Sequence, residues 1–240
     1  MYTEEEKIKT SKRFVEYGRE YYEAGRFSEA QKCFVHAIKL NPENSAALNG
    51  LATVLCDLNN GEWTEEAIDA LVKSLKCDPN NHKVWNNIGD YYYLRGEFDE
   101  SIKYFEKAVE LNPKYPLGFV NLALAYRNTN RIDDAFRSLQ KALLLDSEDA
   151  WAFYQLGLTY VLRGMRFENL NDLEKAREIF TSMLEMNMNI GDLPVEKMVR
   201  LMDTFLTMKV NVQQIERLLA ENIQYFGDER DHEVFGCLVN

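Results

Sequence analysis

Cysteine and histidine, the side chains that most often carry chemistry, are few and far apart in this chain. The four cysteines include no Cys-x-x-Cys pair and the three histidines no His-x-x-x-His pair, so the spacing predicts no metal site. Cys33 and His36 are three residues apart and would share one face of a helix, but no third residue completes a nucleophilic site. Carboxylates are abundant, yet no glycine-rich phosphate loop accompanies them. We therefore expect neither an enzyme nor a bound cofactor.

The charge of the chain argues against two common classes of partner. Its 240 residues carry 28 Lys plus Arg against 39 Asp plus Glu, a net charge of -11, whereas nucleic acids and anionic membranes are held by clustered basic residues. No uncharged stretch approaches the ~18 apolar residues of a membrane span, and the acidic N-terminus lacks the apolar core of a signal peptide. Since 46 % of the residues are apolar, we expect a folded cytoplasmic protein that binds no nucleic acid and no membrane.

The elements that must position any site are defined by an internal repeat. Three of the five prolines, Pro42, Pro79 and Pro113, follow similar strings and lie 37 and 34 residues apart. The 34-residue spacing recurs in three tyrosines: Tyr92, Tyr126 and Tyr160. A period of 34 with two insertions, near residues 59–61 and 165–171, indicates an array of repeated supersecondary units.

Each repeat reads as two helices joined by a turn. In the third repeat, Trp85, Ile88 and Tyr92 follow helical spacing, Gly96 breaks the helix, and Phe105 belongs to a second helical stripe. Small residues recur at one position of each helix: Gly18, Ala52, Gly89, Ala123 and Gly157 on the first, and Ala30, Ala67, Ser101, Ala135 and Ala176 on the second. Such positions predict close helix approach, and the stripes require neighbouring repeats to cover them.

These residues closely resemble the signature of the tetratricopeptide repeat family, a 34-residue helix pair. The resemblance implies an all-α fold, a right-handed α-solenoid of antiparallel helix pairs with C-terminal capping helices. We place an N-terminal extension at 1–10, a capping helix pair with a tail at 191–240, and five repeats between them: 11–44, 45–81, 82–115, 116–149 and 150–190. Both insertions are expected in the turn between paired helices, where added length is tolerated.

The resemblance also implies where a partner would bind, because the first helix of each pair generally lines the concave face in this family. We therefore expect partner-binding residues on those helices: Arg19, Asn49, Lys83, Asn86, Asn87, Asp90, Asn121, Leu124, Arg127, Trp151, Tyr154, Gln155 and Leu158. The predicted groove is polar at one end and apolar at the other. Only Lys83 matches in kind the basic pattern of the repeats that clamp chaperone C-termini, so we do not expect that activity.

Two features of this face suggest how a partner is held. The amides of residues such as Asn49 and Asn87 can pair with an extended peptide backbone, although such amides also bond to their own chain or to water. The apolar residues around Trp151 form either an anchor pocket or a surface covered by the chain's own insertion or tail. Gly50 interrupts the amide series.

The sequence thus predicts a non-enzymatic scaffold that binds an extended peptide or helix of another protein. Two alternatives remain: an assembly subunit that self-associates through its C-terminal cap, as a homodimer for example, and the regulatory portion of a longer protein. Six of the eight methionines lie between Met183 and Met208, where they would fill the core or form an adaptable binding surface.

Overall fold

The computed structural model describes residues 3–188 and 194–208, and this part of the chain contains helices and no strands. Its helices, in chain order, are α1 (Glu4–Glu23), α2 (Phe27–Leu40), α3 (Ser45–Leu58), α4 (Glu65–Cys77), α5 (His82–Leu94), α6 (Phe98–Leu111), α7 (Pro116–Asn128), α8 (Ile132–Leu145), α9 (Ala150–Arg166), α10 (Leu170–Glu185) and α11 (Val195–Met208). The all-α class of paired helices is therefore confirmed. The N-terminal extension is largely helical, since residues 4–10 are the first turns of α1.

The chain divides into two compact units, residues 1–113 and 114–240. In the first unit the pairs α1/α2, α3/α4 and α5/α6 pack on one another in sequence, with α3 also contacting α1 and α5. In the second unit α7/α8 and α9/α10 pack in the same way, and α11 packs on α10. The second helix expected in the C-terminal cap, and the tail, lie outside the described residues.

Glycines at the small-residue positions let an aromatic ring lie directly against the facing backbone. A Cβ added at Gly18 would lie 2.7 Å from the Phe34 ring, and one at Gly89 would lie 2.6 Å from Phe105. Gly50, expected in the groove, instead faces Phe34, and a Cβ added at Gly50 would lie 2.5 Å from the Phe34 ring. The Phe34 ring therefore lies between α1 and α3, and Gly50 belongs to the interface between repeats one and two.

The two insertions are accommodated differently. In repeat two the turn between α3 and α4 is lengthened to residues 59–64, as expected. In repeat five the expectation of a longer turn is wrong: α9 has 17 residues against 13 in α7, and the turn remains residues 167–169. The extra residues extend the helix because residues 163–166 continue the helical hydrogen bonding, and Gly164 fits closely against Leu173.

The junction of repeat five and α11 is a buried core. Met165, Met183, Met198 and Met202 are each at most 2 % exposed, together with Phe205. Methionine has the flexibility to fill an irregular junction of this kind. The core-packing interpretation is confirmed for Met183, Met198 and Met202, whereas Met186 is 57 % exposed.

Candidate functional site

In the first unit, the side chains that reach solvent follow a regular pattern along α1, α3 and α5. Lys12 and Lys83, the second residues of repeats one and three, are exposed, and so is Arg19, the ninth residue of repeat one. The fifth residue is covered in repeats one and three, where Val15 is 5 % and Asn86 is 4 % exposed, but it is half-buried in repeat two, where it is Asn49. Val15 packs with residues of α3, the neighbouring first helix. Placing Asn86 on the groove surface was therefore wrong.

Asn49 and Asn87 are brought together as the centre of this face. Asn87 Nδ2 donates to Asn49 Oδ1 at 3.0 Å and to Thr53 Oγ1 at 3.2 Å, and Thr53 Oγ1 donates to the Asn49 carbonyl at 3.1 Å. These three residues are half-buried. Within the described part of the chain, the Nδ2 donor of Asn49 and the Oδ1 acceptor of Asn87 have no other bonded partner. The network therefore presents one amide donor and one amide acceptor to an incoming ligand.

Asp90 is held by a residue that the sequence analysis did not connect with the site. Trp63, at the end of the repeat-two insertion, donates its indole N–H to Asp90 Oδ2 at 3.0 Å. Its ring packs against the buried core of repeat two, which includes Ala52, Ala67 and Leu71. The insertion thus fixes Asp90, and the signal available from sequence was an aromatic residue directly after an inserted Asn-Gly turn.

Two titratable groups near the same ends of α1 and α3 are kept in their neutral forms. Burial raises the pKa of the Cys56 thiol to about 12, with added effects of the Asp90 and Asp57 charges. Burial, with a hydrogen bond to Asp57, raises the pKa of the Tyr22 phenol well above its usual range. Neither group is poised as a nucleophile at neutral pH.

A cleft of about 420 Å³ lies beside the amide pair's repeat, between α1 and the start of α3. Its lining combines charged, polar and small residues: Lys12, Val15, Glu16, Arg19, Asn41, Glu43, Asn44, Ser45 and Ala46. The two basic and two acidic side chains balance, so the cleft has no net charge. Its volume is sufficient for a side chain of a bound peptide.

In the second unit, much of the predicted apolar face is core. Tyr154 is fully buried against Phe180, with ring centroids 5.8 Å apart, and Leu158 is 1 % exposed. Both were expected at the surface, and that placement is wrong because they pack on α10 of their own repeat. Trp151 remains 38 % exposed, with its ring stacked at 5.9 Å on Tyr154.

The polar residues of this unit form an internal pair. Arg127 Nη1 donates to Gln155 Oε1 at 2.7 Å, and the two residues are 7 % and 2 % exposed. They were expected to meet a partner, but their burial makes them part of the packing between α7 and α9. Asn121 and Leu124 are half-buried on α7.

The candidates for chemistry in the described residues are a metal cluster and the Cys33–His36 pair. No cluster of three or more His, Cys, Asp or Glu side chains capable of holding a metal occurs in residues 3–188 and 194–208. His36 packs on Phe14 with ring centroids 4.3 Å apart, and burial raises the pKa of the Cys33 thiol. Both features oppose the activation of Cys33 by His36. Searched over the same residues, no helix is long and apolar enough to cross a membrane.

Paired helices in sequence, with a face of amide and charged side chains on the first helices, define a helical repeat protein. Tetratricopeptide repeat descriptions match residues 17–82, 82–115, 104–137 and 124–164. The chain belongs to the tetratricopeptide repeat family. Proteins of this family bind other proteins or peptides.

Relatives and solved structures agree with this assignment. Protein bimA of Emericella nidulans is 25 % identical over 170 residues, which are 71 % of this chain and 20 % of bimA. Pseudomonas aeruginosa PilF has the same fold, with a TM-score of 0.69, 16 % identity, and coverage of 95 % of this chain and 97 % of PilF. YrrB, described as a repeat protein with an unusual peptide-binding site, gives a TM-score of 0.53 and 22 % identity over 69 % of this chain and 84 % of YrrB.

The curated relatives are much longer proteins, since this chain spans a fifth of bimA and less of several others. Some of them are named as transferases. The match to those relatives is a match of repeats.

Proposed function

We propose that this protein is a non-enzymatic interaction scaffold that binds an extended peptide of a partner protein on the face formed by α1, α3 and α5. The observation that carries the proposal is the Asn49–Asn87 pair, which leaves the Asn49 Nδ2 donor and the Asn87 Oδ1 acceptor without a bonded partner in the described part of the chain. An extended peptide offers a carbonyl and an N–H from each residue, so this pair can engage a single peptide unit at both ends.

The surroundings of the pair support the same proposal. Arg19 and Lys83 are exposed on either side of α3, where they can contact side chains of the peptide, and the 420 Å³ cleft lies along α1. The Asn49 side chain accepts a hydrogen bond from Asn87, and Asn87 is held in turn by Thr53, before a ligand arrives. A preorganised pair of this kind reduces the entropy lost on binding.

The sharpest test is Asn49→Asp. The substitution retains the Oδ1 acceptor that Asn87 needs but replaces the outward Nδ2 donor with a charged oxygen, which repels a peptide carbonyl. Peptides selected from a random displayed library against the wild-type chain should lose at least about tenfold in affinity, the factor that corresponds to ~1.4 kcal/mol. Isothermal titration calorimetry would measure the change.

The matched control is Asn80→Asp, which makes the same charge change in the exposed turn between α4 and α5. It should leave affinity unchanged. Equal affinity of the Asn49→Asp variant and the wild-type chain, with circular dichroism unchanged, would refute peptide binding through this pair.

Trp151 provides a separate test in the second unit. It is the partly exposed aromatic residue of the predicted apolar end, so Trp151→Ala should weaken capture of a partner protein if that end also takes part in binding. Met198 and Met202 of α11 are buried within the chain. For that reason we do not propose self-association through these two residues.

A further inference from the structure

The chain contains two Asn-Gly pairs in very different surroundings. Asn49–Gly50 lies in the middle of α3, and Asn60–Gly61 lies in the repeat-two insertion. An asparagine followed by glycine is the pair most prone to deamidation, because glycine has no side chain to hinder attack by its backbone nitrogen. The two pairs can therefore be compared within one molecule.

In this reaction the Gly nitrogen loses its proton and attacks the Asn side-chain carbon Cγ, a C–N bond forms, and the side-chain NH2 takes up one proton and leaves as ammonia. Water then opens the succinimide ring at one of its two carbonyls. The products are an aspartyl residue or an isoaspartyl residue, in which the backbone has gained a methylene. Water is the one reactant besides the chain itself.

The helix protects Asn49, because the Gly50 N–H is committed to helical hydrogen bonding and freeing it requires α3 to unwind. Asn60 differs in being exposed and lying beyond the end of α3. It has a φ of +57°, and Gly61 has a φ of +86°. A short turn of this kind opens at much lower cost than a helix interior.

The turn is nevertheless closed by a set of hydrogen bonds. The Gly61 N–H, which is the attacking group, donates to the Cys56 carbonyl at 2.9 Å, and the Asn60 N–H donates to the Asp57 carbonyl at 3.2 Å. Asn59 and Glu62 bond to each other across the turn. Reaction at Asn60 requires the Gly61 bond to break.

The Trp63–Asp90 bond anchors the far end of the same turn. Trp63 follows Glu62 directly, and its indole donates to Asp90 on α5 at 3.0 Å while its ring packs beside the repeat-two core. Chain movement at residues 59–62 is therefore limited at one end by α3 and at the other by this bond.

We propose that Asn60 is a deamidation site of the folded protein, and that the Trp63–Asp90 bond sets its rate by holding the repeat-two turn closed. Asn49, which has the same sequence neighbour, is protected by its helix. Conversion at Asn60 adds a negative charge close to Asp57, and the isoaspartyl product lengthens the turn that carries Trp63.

The test is incubation of the whole chain at mildly alkaline pH, followed by trypsin digestion and mass spectrometry. Cleavage after Lys39 and Lys73 releases both Asn-Gly pairs in one fragment, residues 40–73, and fragmentation spectra assign the product to Asn49 or Asn60. Urea-unfolded wild-type chain supplies the unprotected rates. In the native chain, Asn60 should convert more slowly than in urea, and Asn49 more slowly still.

Trp63→Phe removes the indole donor and keeps an aromatic ring in the core. It should raise the native rate at Asn60 by about fivefold, the factor for losing one net hydrogen bond of ~1 kcal/mol. Trp85→Phe is the matched control, because Trp85 also donates an indole hydrogen bond, to the Pro79 carbonyl at 2.8 Å. This control should leave the rate at Asn60 unchanged.

Three results would overturn the proposal. Equal native rates at Asn49 and Asn60 would remove the distinction between helix and turn. An unchanged rate in Trp63→Phe, or the same increase in Trp85→Phe, would show that the Trp63–Asp90 bond does not control the reaction. Absence of product at Asn60 in the native chain, while the urea-unfolded chain converts, would show that the folded protein has no such site.

Discussion

Arg163 and Asp172 form the ion pair that holds the α9–α10 hairpin. Arg163 donates from Nε to Asp172 Oδ2 and from Nη2 to Oδ1, each at 2.7 Å, and Asn169 Nδ2 donates to Oδ2 at 3.1 Å. The Asp172 side chain is 2 % exposed and that of Arg163 is 27 %. The Arg163 guanidinium also lies over the Phe136 ring of α8, 4.3 Å from its centroid. One side chain therefore connects three helices.

Removing Arg163 leaves a buried carboxylate with a single weak donor. Substitutions that break buried pairs in this way cost ~3–5 kcal/mol. Because Arg163 is partly exposed, we expect Arg163→Met to lie at the low end, about 3 kcal/mol. The double variant Arg163→Met with Asp172→Leu removes both charges, and should cost less than the single variant by about 2 kcal/mol.

Urea unfolding followed by Trp151 fluorescence measures this effect, since Trp151 lies on α9. Trp63 and Trp85, both in the first unit, are replaced by Phe in every variant so that the signal reports the second unit alone. The reasoning would be refuted by a cost below about 1 kcal/mol for Arg163→Met, or by a double variant as unstable as the sum of the two singles.

Three further predictions concern a contact between repeats, two turns and a partly buried histidine. Asn44 Nδ2 donates to Ser11 Oγ at 2.8 Å, while Ser11 Oγ donates to the Ala37 carbonyl, so Asn44→Ala should destabilise the first unit by about 1–2 kcal/mol in urea unfolding, with Asn80→Ala as an inert control. Glu168 has a φ of +51°, a region that glycine tolerates better, so Glu168→Gly should raise the free energy of unfolding by ~1 kcal/mol. Gly96 has a φ of +73°, so Gly96→Ala should lower that free energy by a similar amount, and thermal unfolding would measure both. Burial, aided by the Lys83 charge, lowers the pKa of His82, so the unfolded chain binds a proton more readily and stability falls as the pH drops below about 6.5. His82→Gln should reduce the change of the urea midpoint with pH in this range, and an unchanged slope would contradict the prediction.

The repeat could be predicted because its causes are local. Residues such as Gly89 and Phe105 recur at fixed spacing, and the contact they make repeats with them. The positions of Asn49 and Asn87 on one face follow from the same periodicity, and the structure brings them into contact. Their mutual hydrogen bond could not be predicted, since it depends on side-chain angles.

The residues wrongly placed in the groove are those that contact an adjacent helix. The fifth residue of each repeat lies close to the groove in helical projection, but in the structure Asn86 and Tyr154 are covered by adjacent helices. Gly50 was expected in the groove, but it lies against Phe34 of the preceding repeat. The pattern within one repeat does not predict such a contact between repeats. Trp63 and Asp90 are 27 residues apart, and Trp63 follows an insertion. The 34-residue period does not fix the position of an inserted residue, so their hydrogen bond could not be predicted.

The Phe34 ring has a consequence for how the first unit unfolds. In repeat three, Phe105 fills the space over Gly89, whereas Phe34 fills the space over Gly18 and Gly50, which belong to different repeats. In arrays of repeats, coupling between neighbours decides whether an end repeat frays alone or melts with the next one. Loss of the Phe34 ring would uncover the backbone of both helices at once, so the first two repeats should exchange their amide hydrogens as a single cooperative block.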